Sequence, residues 1–134
     1  MAKIYLAHNY SAKPLLRVII DLITEKDHQV TSRWIIWDES ELKNEPDAVN
    51  ATIDIADIDS AEYLIGFIDQ LGQTPGRGKF FEIGYAYAKG KKIILVGDSA
   101  AFNDSVFYHL AGIQKVNKLG SALAIIATRE YAKA

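Results

Sequence analysis

Glu82 is the side chain of this sequence with the clearest claim to nucleophilic chemistry. Hydrophobic patterning places it in the first turn of a helix, directly after the glycine-rich stretch QLGQTPGRGK of residues 70–79. The positive end of a helix favours an ionised carboxylate, and the ionised form is the one that attacks carbon. A glutamate in a first turn also stabilises a helix without doing any chemistry, so position alone leaves both roles open. Gly76 and Gly78 either offer backbone N–H groups to an anion or a sugar hydroxyl, or only shape a tight turn. Their spacing fits neither a P-loop nor a dinucleotide fingerprint, because Phe81 stands where a third glycine belongs.

Other reactive side chains cluster at predicted strand ends. Tyr5 falls inside the first apolar run, where an aromatic ring belongs to the core but a phenol needs a hydrogen-bond partner. His8, Asn9 and Tyr10 follow it. The imidazole suits either acid–base work or a structural hydrogen bond, and Asn9 is a candidate substrate contact. Asp54 and Asp57 lie on the polar side of a later helix, where the ordinary expectation is a solvated face. Trp34 and Trp37 could stack a base or pack the core. His109 suggests no role.

Composition removes several alternatives. The 134 residues contain no cysteine, which excludes disulfides, thiolate zinc sites and a cysteine nucleophile. Three histidines are too scattered to suggest a metal site, so no cofactor is expected. Fifteen Lys and Arg against seventeen Asp and Glu give a net charge of −2, which disfavours a nucleic-acid polymer as partner. No long apolar stretch or leader-like start is evident, so a cytoplasmic protein without a membrane partner is expected.

The elements that must position these groups alternate regularly. Apolar runs at 3–8, 29–37, 62–69 and 91–97, with a short one in GIQKV, predict five strands. Helical spacing covers 12–26, 47–59, 79–89 and 118–132, with Gly90 as a left-handed helix terminus. On the 47–59 helix, Val49, Ile53 and Ala56 are expected inward. Segment 98–113 reads as irregular or one helical turn. The alternation predicts one domain over residues 1–134, an α/β doubly wound parallel sheet with helices on both faces. Ligands of such sheets bind at the strands' carboxyl ends.

The run FFEIGYAYAKGKKIILVG at 80–97, after DIADIDSAEYLIGFID at 54–69, resembles the nucleoside 2-deoxyribosyltransferase family. The opening KIYLA and the later FYHLAGIQKV fit the same pattern, so the resemblance spans nearly the whole chain. It implies a flavodoxin-like fold and an enzyme that makes or breaks the N-glycosidic bond of 2′-deoxynucleosides. Carried over by position, Glu82 is the nucleophile, Tyr5 the phenol that orients it, and Asp54 a substrate contact. The substrates implied are a small deoxynucleoside or deoxynucleotide and a free base, in a homo-oligomer that completes the site. Where many transferases carry an Asp, six residues before the nucleophile, this chain has Gly76; Asp69 is the nearest replacement. Arg77 and Lys79 read as contacts to a 5′-phosphate, which would favour hydrolysis of a monophosphate, or as two solvated cations. A nucleotide-binding domain without catalysis is the rival from another class.

Overall fold

The structure is a computed structural model, and it describes residues 1–37, 45–68 and 77–133. Among the described residues, five strands form one sheet: β1 (Lys3–Ala7), β2 (Gln29–Val30), β3 (Tyr63–Phe67), β4 (Lys92–Val96) and β5 (Gln114–Val116). Every pairing is parallel, in the order β2-β1-β3-β4-β5. This is the flavodoxin-like doubly wound order, and the direction of winding reverses between β1 and β3. All five residues of β3 are buried, which requires cover on both faces of the sheet. The helices α1 (Lys13–Glu25), α3 (Asp47–Ser60), α4 (Arg77–Ala88) and α5 (Leu119–Lys133) supply it, with a single helical turn α2 (Arg33–Ile36). The expected α/β architecture is therefore the observed one. Among the described residues, no helix is long and apolar enough to cross a membrane.

The predicted second strand, 29–37, is corrected. Only Gln29 and Val30 pair as a strand; the chain then turns into α2. Ser32 explains the change, because its hydroxyl accepts the backbone N–H of Leu6 at 2.8 Å and takes the place of a strand partner. The backbone is thereby released to coil. Trp34 and Ile35 are then buried side by side, which an alternating strand could not achieve on one face.

The inward face of α3 is corrected too. Asp57 is 4% exposed and Ile58 is 0%, while Val49 is 40% exposed and Ala56 is exposed. The seam turned toward the protein runs through Asn50, Asp54, Asp57 and Ile58. Carboxylates can lie inward here because hydrogen-bond donors and a cavity meet them, as described below.

At α4 the helix begins at Arg77, two residues before the predicted start, so Glu82 lies beyond the first turn. Its far end matches expectation: Gly90 has φ of +75° in the left-handed region. Gly66 in β3 lets this helix approach closely. A Cβ there would stand 2.9 Å from Leu95 Cδ2 and 3.1 Å from Ile83 Cδ1, the latter belonging to the neighbour of Glu82. The 98–113 segment holds two short 3-10 turns, Ala101–Asp104 and Val106–His109.

Candidate active site

Tyr5 stands in the middle of β1 and is completely buried. Across the sheet mouth, α4 brings Glu82 over it, and the Tyr5 phenol donates a hydrogen bond to Glu82 Oε2. Above the pair opens a cavity of about 480 Å³. His8 and Tyr10 after β1, Trp34 on α2, Asn50 and Asp54 on α3, and Gly78, Lys79, Phe81 and Glu82 on α4 face it. The cavity thus sits at the carboxyl ends of β1 and β3, beside the reversal of winding.

Burial dominates the electrostatics. It pushes the Glu82 carboxyl up to about 7; the Tyr5 hydrogen bond opposes the shift, and the nearby Asp54 charge adds to it. The sequence-based expectation of a carboxylate held ionised by a helix terminus is therefore corrected. Glu82 lies past the first turn, and desolvation at the sheet mouth raises its carboxyl. Asp54 is raised to about 6, first by burial and then by the Asp57 charge, with Arg33 pulling the other way. The Tyr5 phenol is raised by burial and by the charges of Glu82 and Asp54, so it remains a donor.

The remaining predicted site residues divide. Gly78 lines the cavity, as do Asp54 and Trp34. Asn9 does not. It is 6% exposed and its backbone opens a 3-10 turn, so the neighbours His8 and Tyr10 reach the cavity instead. Gly76, Asp69 and the side chain of Arg77 lie outside the described residues. Lys79 is no solvated cation: it is 4% exposed, and its ammonium donates to the Phe67 carbonyl at 2.9 Å, tying α4 to the end of β3. His109 meets the Phe102 carbonyl at 2.8 Å, away from the cavity.

Two features escape a reading of the sequence. The His8 ring stacks on Phe67 at 5.1 Å between centroids, which only the pairing of β1 with β3 creates. Asn50 joins Asp54 on the cavity wall, and their four-residue separation on one helix was the available signal. Tyr10 and Trp34 stack at 6.2 Å and make the aromatic part of the wall. Among the described residues, no group of three His, Asp or Glu side chains is arranged to hold a metal ion.

No family model matches this chain, and neither does any curated protein. Among solved structures it is similar to the Clostridium botulinum CMP N-glycosidase BcmB, at 21% identity and a TM-score of 0.56. The match covers 87% of this chain and 89% of that one. What the likeness shows is a shared α/β fold over nearly the full length of both chains.

Proposed function

We propose that this protein cleaves the N-glycosidic bond of a 2′-deoxynucleoside or its 5′-monophosphate through a covalent glycosyl–Glu82 intermediate. The observation that carries the reading is the buried Tyr5 phenol bound to a half-buried Glu82 beneath an open cavity. Breaking the bond from C1′ to the base builds positive charge on the sugar, and a carboxylate beneath that carbon both stabilises the charge and traps it. Tyr5 holds Oε2, and Oε1 is the oxygen that attacks. As the new C–O bond forms, the electron pair of the C1′–N bond leaves with the base. The base stacks against the Tyr10–Trp34 wall, while Asp54 contacts the sugar.

A second base, or water, then attacks C1′ and releases the Glu82 carboxylate, and the proton it sheds balances the one the departing base takes up. Transfer to a second base is the fate that the sequence resemblance implies. Hydrolysis of a monophosphate is the alternative favoured by the likeness to a CMP N-glycosidase. The resemblance further implies a homo-oligomer whose neighbouring subunit completes the site.

Incubation with deoxyinosine and free adenine separates the two fates. New deoxyadenosine signals transfer, free deoxyribose signals hydrolysis, and a panel of deoxynucleoside monophosphates tests the phosphate requirement. Glu82→Ala abolishes either activity. If the wild type turned over none of these compounds yet bound one as tightly as the variant does, the protein would be a non-catalytic binding domain.

A further inference from the structure

Asp57 has no place in the chemistry above, yet it is 4% exposed and fully engaged. Its Oδ2 accepts the backbone N–H of Arg33 at 2.9 Å, and its Oδ1 accepts Arg33 Nε at 2.7 Å. The Asp57 carbonyl accepts the Thr31 hydroxyl at 2.9 Å and the Ser60 hydroxyl at 3.0 Å. A four-residue turn such as α2 cannot hold itself together through its own ladder. The residue before it, Ser32, gives no side-chain cap, because its hydroxyl is committed to Leu6. Asp57 does the capping from another helix. It satisfies the first N–H of α2 with an ionised acceptor and grips the side chain of the same residue.

Both elements joined in this way are cavity walls. Trp34, the next residue after Arg33, lines the cavity and donates its indole N–H to the Leu6 carbonyl at 3.3 Å. Asp54, one turn before Asp57 on α3, lines the cavity as well. The pair also acts on that carboxyl with opposite signs, Asp57 raising and Arg33 lowering its pKa.

We propose that Asp57 is a positioning residue: through Arg33 it fixes the Trp34-bearing turn against the Asp54-bearing helix and so sets the shape of the substrate cavity. What fills the cavity rests on the N-glycosidase reading, but the shaping itself does not. The Tyr5–Glu82 hydrogen bond shares no partner with the Asp57–Arg33 pair, so loss of the pair should weaken substrate binding far more than it slows the chemical step.

The variants are Asp57→Ala and Asp57→Asn, the latter keeping an acceptor for the Arg33 N–H while losing the charge. Asp57→Ala should raise KM about tenfold with kcat within about twofold, and Asp57→Asn should raise it less, since one bond of the grip survives. Melting curves confirm that each variant is folded at the assay temperature. A substrate-free readout uses Trp34 as the only indole, in a Trp37→Phe background. Acrylamide quenching of its fluorescence should rise about twofold on Asp57→Ala, because a loosened turn exposes the ring.

Unchanged KM and unchanged quenching, with only a lower melting temperature, would mark Asp57 as structural and overturn the proposal. Where Asp57→Ala does not fold, Asp57→Asn decides on the same two measurements. If the wild type cleaves none of the compounds tested, the functional reading fails, and quenching alone decides the role of Asp57.

Discussion

Glu82 is poised where its two protonation states are both populated at neutral pH, since burial raises it to about 7. An attacking carboxylate must be ionised, so kcat/KM should fall about tenfold per pH unit on the acid side of this value. Tyr5→Phe removes the hydrogen bond that favours the ionised form. The acid limb should then move to higher pH, and kcat should fall by about 10–100-fold, the worth of a hydrogen bond to a charged group. Asp54→Asn removes a charge that raises Glu82, so the limb should move to lower pH. A pH–rate profile of the three proteins checks both directions, and an unmoved limb in Tyr5→Phe would mean that the phenol does not tune the carboxyl. Glu82, Tyr5 and Asp54 were legible as candidates because residue type and motif spacing name them. Asp57 was not: a carboxylate beside a second carboxylate on an amphipathic helix reads as solvated, and only the folding of α2 against α3 supplies the donors that bury it.

Elements that run straight through the sheet were readable from their apolar runs, and β1, β3 and β4 fall close to where the sequence puts them. The second strand failed because QVTSRWIIW is rich in β-branched and aromatic residues, while a serine hydroxyl ends the pairing. Ser32→Ala tests that account. It leaves the buried Leu6 N–H without its acceptor and should destabilise the protein by about 1–3 kcal/mol, measured by denaturant unfolding. A loss near zero would mean that the turn into α2 has another cause. Gly66 is the corresponding device for α4. Gly66→Val pushes branched carbon against Leu95 and Ile83, and overpacking of this kind costs about 1–3 kcal/mol. Because Ile83 adjoins Glu82, activity should fall along with the melting temperature. Gly66→Ala meets its tightest contacts at the tips of two flexible side chains, Leu95 and Ile83, and should be milder on both counts.

For the molecule as a whole, the half-buried carboxyls of Glu82 and Asp54 oppose stability at neutral and alkaline pH. Glu82 rises from 4.5 to about 7 and Asp54 from 3.8 to about 6 on folding. A carboxyl raised on folding contributes stability that is complete below its unfolded pKa and is lost as pH rises through the folded value. Between roughly pH 4.5 and 7, therefore, these two groups make the protein less stable as pH increases. Glu82→Gln removes the larger part of this effect. It should raise the unfolding free energy at pH 8 by on the order of 1–3 kcal/mol and change it little at pH 5. Melting curves at the two pH values decide the matter; an equal gain at both would show that charge burial is not the cause.

The phenol and the carboxylate that meet at the sheet mouth are separated by 77 positions along the chain. Neither β1 nor α4 holds the pair by itself, and β3, which pairs with β1 and receives α4, sets the two side by side. Contacts of such long range form late in folding, after the loop-closure entropy has been met. Under the proposed function, recovery of glycosidic cleavage during refolding should accordingly lag behind the recovery of helical circular dichroism, and a covalent sugar adduct on Glu82 would count native molecules only. In an unfinished chain Glu82 is an ordinary solvated glutamate, so the proposed reactivity would stay silent until the sheet is closed.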